Sequence, residues 1–129
     1  MTSELVTAGV KITVKAHFEN EFSVPLDGRY IFLYFITIEN QNDFSIKLMD
    51  REWNIFDSNW EHRTVQGEGV IGKQPIIKSG EVYSYSSASD LTTDRGRMKG
   101  SYRMLNIQQN SFFKVTIPEF LLEAPFAKN

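Results

Sequence analysis

Gln66-Gly67-Glu68-Gly69-Val70-Ile71-Gly72-Lys73-Gln74-Pro75 is the stretch whose reading decides the fold class. Its spacing Gly67-x-Gly69-x-x-Gly72 matches a dinucleotide fingerprint. That fingerprint needs a strand before the glycines and a helix opening inside them, because the helix N-terminus holds the pyrophosphate. Pro75 stands three residues after Gly72 and is followed by Ile76-Ile77-Lys78-Ser79-Gly80. Proline removes a backbone donor and pushes its predecessor out of the helical region. No helical period follows, so the stretch reads as a glycine-rich loop between β-strands.

On either side of it the pattern is period-2 alternation, the mark of half-buried strands. Val10, Ile12, Val14, Ala16 and Phe18 alternate with Lys11, Thr13, Lys15 and His17. Phe22 to Gly28 is a connection with a few apolar anchors, and Asp27-Gly28 is a turn signal. From Arg29 to Glu39, Tyr30, Phe32, Tyr34, Ile36 and Ile38 share one face, and Ile31, Leu33 and Phe35 the other. This predicts a central strand buried on both faces. Asn40 to Asp43 is a polar turn. Phe44, Ile46, Leu48, Trp53 and Ile55 carry the apolar signal to a turn at Asp57-Ser58-Asn59, and Glu61 to Gln66 forms the arm into the glycine loop. Val82 to Ser86 is a short strand, and Ser87 to Gly96 reads as loop. Met98, Gly100, Tyr102 and Met104 share a strand face, where Gly100 marks a close approach or a bulge. Phe113, Val115 and Ile117 form the last strand, and Pro118 ends it or confines it to an edge. About seven or eight strands with turn signals every ~8–12 residues predict an all-β sandwich of two antiparallel sheets, immunoglobulin/fibronectin type III-like.

The chain has 129 residues, 41% of them hydrophobic and 13% aromatic, which suits one domain with one core. The net charge of −2 and pI near 5.7 lack the footprint of a nucleic-acid binder. The absence of cysteine excludes disulfides and thiolate metal sites. No signal peptide and no bilayer-spanning apolar run are evident, so the expectation is a cytoplasmic protein without membrane insertion.

Several ordered blocks resemble one family. They are Gly67-x-Gly69-Val70-Ile71-Gly72-x-Gln74-Pro75, Gly80-Glu81-x-x-x-Tyr85-x-Ser87, Leu91-x-Thr93 and Gly96-x-Met98-x-Gly100-x-Tyr102-x-Met104. Phe113-x-Val115-x-Ile117-Pro118-x-Phe120-x-Leu122-x-x-Pro125 completes the set. Together they are similar to the ApaG family, with the single domain spanning 1–129 and its core about 7–125. Ile71 stands where a second valine is usual, and Ser79 where proline is common. The resemblance implies a fibronectin type III-like sandwich and a small stand-alone bacterial protein, often encoded beside a diadenosine tetraphosphate hydrolase. It also implies a link to cobalt and magnesium resistance or efflux. In eukaryotes, similar domains attached to an F-box protein and to a polymerase-interacting protein are thought to mediate protein contacts. It implies no catalytic activity, and for the glycine loop a proposal of pyrophosphate binding.

Two readings of Gly67, Gly69 and Gly72 stand side by side. One is turn geometry. The other is an anion nest of backbone N–H groups, with Lys73, Arg63 and His62 adding charge. Arg95, Arg97 and Lys99, with Arg103, form a second basic cluster, either a solvated strand face or a surface for an acidic or phosphate-bearing partner. His17 and His62 lack the spacing of a metal site, and Glu19 with Glu21 and Asp90 with Asp94 read as solvated charges. No catalytic motif and no cofactor site stands out. Trp53 reads as core, whereas Trp60 beside a turn is either a contact residue or packed on a loop. Phe120-Leu121-Leu122 covers the open end of the sandwich or pairs between chains of a homodimer. The expected function is a non-enzymatic module for an unidentified protein partner, with a phosphate-containing small molecule at 67–73 as the alternative.

Overall fold

The structure, a computed structural model, describes residues 2–127. Its strands are β1 (Thr2–Thr7), β2 (Val10–Phe18), β3 (Tyr30–Asn40), β4 (Ile46–Asp57), β5 (His62–Glu68), β6 (Ile76–Ile77), β7 (Val82–Leu91), β8 (Arg95–Asn106) and β9 (Ser111–Glu123). They form two antiparallel sheets. One runs β1-β2-β3-β7 and the other β5-β4-β8-β9, with β6 paired to β4. The expected all-β sandwich is thus the observed one.

The sheets meet through the inward residues of each alternating strand. Val10, Ile12 and Val14 of β2 and Phe32, Ile36 and Ile38 of β3 face Met98, Tyr102 and Met104 of β8 and Val115 and Ile117 of β9. At the centre Trp53 meets Tyr34 and Phe120 with ring centroids 5.3 and 5.8 Å apart, both edge-on, the arrangement that aromatic quadrupoles favour. Trp53 is core, as its pattern predicts.

The outer face of β3 departs from expectation. Phe35 is 48% exposed, and Ile31 and Leu33 are only partly covered. In a two-layer sandwich each sheet has one wet face, so an apolar run does not by itself bury both. The connection before β3 also differs. Its apolar residues are not anchors, since Leu26 projects fully into solvent from a 3₁₀ turn over Pro25–Asp27.

Three further segments correct the sequence reading. Thr2–Thr7 is a strand whose burial alternates too weakly to be read. Ser87–Leu91 and Arg95–Gly96 are not loop: β7 stays paired with β3 through Leu91, and only 92–94 turn. The small residues there still form a ladder, because Ser89 and Leu91 point inward. Phe120–Leu122 is neither a separate cover nor a tail, because β9 runs on through Pro118 to Glu123. Pro118 is accommodated at a register shift on the sheet edge, where no ladder donor is needed. Across that shift lies Gly100, where a Cβ would meet the Glu52 carbonyl at 2.3 Å. Gly100→Ala is therefore expected to cost about 1–3 kcal/mol, read as a lower urea midpoint with an unchanged m-value.

A hydrogen bond between the hydroxyls of Tyr85 and Tyr102 crosses the sandwich. Burial pushes both hydroxyls above their ordinary pKa of 10.0. The native state therefore holds these protons where the unfolded chain would release them. The stability tied to them is complete below pH ~10 and is lost as pH rises above it. Thermal scans across pH should show a decline above pH ~10, which the double variant Tyr85→Phe/Tyr102→Phe flattens. An identical decline in that variant would contradict the assignment.

Candidate functional site

The glycine stretch divides into two parts. Gly67 lies within β5 opposite Arg51, and a Cβ there would meet Arg51 Nη1 at 2.8 Å. Its lack of a side chain lets the guanidinium lie across the strand. Arg51 Nη1 then donates to the carbonyls of Glu68 at 3.1 Å and Gly69 at 2.8 Å. Beyond it, Val70 and Lys73 exchange backbone bonds of 2.8 and 3.0 Å around Ile71 and Gly72. Ile71 at φ 49° and Gly72 at φ 72° both have positive φ, which makes this a type I′ turn. Gly69 also has positive φ, and its amide donates to Met49 O at 2.8 Å.

The amides of Gly69, Val70 and Lys73 are therefore already engaged. His62 and Arg63 lie at the far end of β5, about 17 and 14 Å from Gly67 at strand rise. Arg63 Nη2 bonds Asp90 Oδ1 at 3.1 Å and the Asp90 carbonyl at 2.6 Å, tying β5 to β7 across the gap between sheets. The structure does not bring these two residues to the glycine loop. Lys73 is exposed beside it.

His62 instead joins the second basic cluster. Phe56 is paired on one side with His62 and on the other with Arg97. The imidazole stacks on the Phe56 ring at 4.3 Å and 3°. The Arg97 guanidinium lies 4.1 Å from the same ring centroid, and Lys99 Nζ 5.5 Å from it. Such cation–π contacts contribute about 0.5–1 kcal/mol at exposed sites. Arg97 also pairs with Glu119 at 2.7 Å, and Arg103 with Asp50 at 2.7 Å. Arg97, Lys99 and Arg103 project outward, as their alternation predicts.

This stack borders a groove of about 390 Å³ at one end of the sandwich. Phe56, Gly96 and Leu121 supply its apolar surface, Trp60 one wall, and Arg95 and Glu61 polar margins. Gly96 has to be glycine because a Cβ would meet the Phe56 carbonyl at 2.3 Å. Trp60 is 96% exposed and sits at φ 74°, a left-handed conformation that costs a non-glycine residue about 1–3 kcal/mol. Arg95 Nη2 is inaccessible to solvent and has no hydrogen-bond partner among the described residues. The rim is fixed by Asp57, whose carboxylate accepts from the amides and hydroxyls of Thr92 and Thr93 at 2.9–3.4 Å.

Among the described residues no group of three or more His, Asp or Glu is arranged to hold a metal ion. No helix of the described residues is long and apolar enough to cross a membrane. Two features escaped the sequence reading. Arg51 shares the parity of core residues Trp53 and Ile55, and a charge at that parity was the available signal. The orphan nitrogen of Arg95 had none.

The family model of the ApaG domain matches residues 20–106, from the loop before β3 to the end of β8. The chain belongs to the ApaG family. Protein ApaG of Beijerinckia indica is 38% identical over 123 residues, covering 95% of this chain and 94% of that one. Protein ApaG of Dechloromonas aromatica is 42% identical over 118 residues, covering 92% of each. A crystal structure from Bordetella pertussis, described as a putative ApaA protein, superposes with a TM-score of 0.87 at 32% identity, over 92% of this chain and 95% of that one. The name ApaG denotes no reaction. The matched segment of this ApaG-family chain contains the glycine stretch and the β4–β5 and β7–β8 margins of the groove, whereas Leu121 and Glu123 lie beyond it.

Proposed function

We propose that this ApaG-family domain is a non-enzymatic interaction module that holds a protein partner in the groove between Trp60 and Leu121. Trp60 is the observation that carries the reading. A tryptophan kept in a strained backbone conformation and almost wholly in solvent gains nothing for the free fold, whereas tryptophan and arginine dominate the energetics of protein contacts. The chemistry of the groove defines the partner segment. It carries an apolar side chain for Phe56 and Leu121. The link to cobalt and magnesium implied by the resemblance is then indirect, exerted through that partner.

Trp60→Ala removes no buried surface, so it should leave the melting temperature within about 1–2 °C of wild type. Quantitative affinity capture from bacterial lysate should recover a specific partner with the wild-type domain and at least ~10-fold less with Trp60→Ala, a loss of about 1.4 kcal/mol or more. Equal recovery by both proteins, or no specific partner under several conditions, removes the proposal.

A second reading places a phosphate or pyrophosphate at 67–73. It draws on the central residues of the type I′ turn, Ile71 and Gly72, beside the exposed Lys73. Amide NMR titration with pyrophosphate, ATP and magnesium separates the two. Saturable shifts confined to Ile71–Lys73 support the phosphate reading, and flat spectra at millimolar ligand end it.

A further inference from the structure

Four strands form sheet edges, namely β1, β7, β5 and β9. Natural proteins blunt such edges with proline, bulges, inward charges or a covering segment. β9 has Pro118 at a register shift, β5 sends Arg63 across the gap to Asp90, and β1 is six residues long and packs beside β9. β7 from Val82 to Ser89 contains no charge and no proline, and pairs with β3 without interruption. Asn40 of β3 donates to the Glu81 carbonyl at 3.0 Å, so Glu81, Tyr83, Tyr85 and Ser87 turn their backbone groups towards β3. Val82, Ser84, Ser86 and Ala88 turn theirs away, where no hydrogen bond reaches them among the described residues. Asp90 belongs to the same outward set, but Arg63 Nη2 already occupies its carbonyl at 2.6 Å and closes that end of the edge. The free row therefore runs from Val82 to Ala88. Only water or an extended strand satisfies such a row of backbone donors and acceptors.

Inward of the row lies the opening between β7 and β5. From the Arg63–Asp90 contact, β5 runs on to Val65 and then Gly67, at about 7 Å for every two residues. Val65 is 37% exposed. The Arg51 guanidinium lies over Gly67. It is near enough to Tyr85 that its charge opposes the effect of burial on that hydroxyl. Only Nη1 of Arg51 is bonded, to two backbone carbonyls, and Arg51 makes no ion pair among the described residues. Asp50 and Glu52, its neighbours in the chain, are held by Arg103 and Gln66. We infer that the β7 edge takes an extended segment of a partner protein with an acidic residue two places from an apolar one. The apolar side chain covers Val65 and the carboxylate meets Arg51. In strand addition the main-chain bonds give affinity and the alternate side chains give specificity. A strand paired to β7 sends alternate side chains into the opening about 7 Å apart, the spacing from Val65 to Gly67. Carboxylate and guanidinium form the strongest class of hydrogen bond. The β7 strand of a second copy does not meet this requirement, because its Val82–Ser89 carries no acid. The edge shares no residue with the Trp60 groove and does not depend on it.

The test is an NMR titration of the wild-type chain with the acetylated, amidated peptide Thr-Val-Thr-Glu-Thr-Val-Thr, whose symmetry serves a strand of either direction. A second peptide has lysine in place of the glutamate. With the acidic peptide, amide hydrogen exchange should slow at Val82, Ser84, Ser86 and Ala88. The amides of Tyr83, Tyr85 and Ser87, already bonded to β3, should change little. The lysine peptide, and the acidic peptide against Arg51→Gln, should bind at least ~10-fold more weakly. If Arg51→Gln does not fold, the lysine peptide decides. No saturable shift at millimolar peptide, equal binding of the two peptides, or shifts without slowed exchange at the outward amides overturns the inference. So does protection of those amides that grows with protein concentration alone, which would assign the edge to a second copy.

Discussion

Gly69→Val is expected to leave the domain largely unfolded at room temperature. Gly69 holds φ 57° with its amide bonded to Met49, and a Cβ there would lie 2.0 Å from the Lys73 carbonyl, a backbone atom fixed by the type I′ turn. Left-handed backbone costs a non-glycine residue about 1–3 kcal/mol. Overpacking against fixed atoms adds about 1–3 kcal/mol, and a β-branched residue falls at the upper end of both. The sum approaches the total stability typical of a small domain, about 5–15 kcal/mol. Gly72 provides the control. It also has positive φ, but nothing lies within 4 Å of its Cβ direction. Gly72→Asn places a residue that tolerates this conformation and should cost less than about 1 kcal/mol. Urea unfolding followed by tryptophan fluorescence compares the two. Equal midpoints for Gly69→Val and wild type would refute the account of the stretch as close-packed turn geometry.

Asp57→Leu should also be clearly destabilising, though it leaves the domain folded. Its carboxylate is the common acceptor for two amides and two hydroxyls of Thr92 and Thr93, joining the end of β4 to the turn between β7 and β8. Leucine leaves those donors without their acceptor in a half-buried corner. Each unsatisfied group costs about 1–3 kcal/mol, with partial relief because Thr92 reaches solvent. A loss of roughly 3 kcal/mol is expected, which lowers the melting temperature by about 10 °C. Asp57→Asn keeps the acceptor oxygen and should retain at least half of the difference. A leucine variant as stable as wild type would show that the corner is held by something else.

The sequence was informative wherever one residue's surroundings lie nearby in the chain. Alternation in β2, β3 and β8 placed the core residues, and Gly100 marked its bulge, because strand period and backbone crowding are local. The serine-rich half of β7 was misread because Ser87 to Leu91 pair with Tyr34 to Tyr30 of β3, far earlier in the chain. Phe35 was misread because hydrophobic content does not say which sheet face another layer covers. The site was less legible than the fold. Gly67, Gly69 and Gly72 look like one motif, yet Gly67 gives way to Arg51, Gly69 to Lys73 and Gly72 to turn geometry. His62 was grouped with the glycines by chain proximity, whereas strand pairing sets it beside Phe56 and Arg97. Of the groove residues, Trp60 stood out early as an aromatic beside a polar turn, and Arg95 and Arg97 as part of the second basic cluster.

The most direct test of the groove is photo-crosslinking from position 60, with a benzophenone amino acid in place of Trp60, against a control at Thr13 on the outer face of β2. Position 60 should capture a discrete protein in living bacteria that position 13 does not, and Leu121→Asp in the groove should abolish that product while the fold persists. Matching products from both positions, or capture at position 60 that survives Leu121→Asp, would contradict the assignment of this groove as the partner-binding surface.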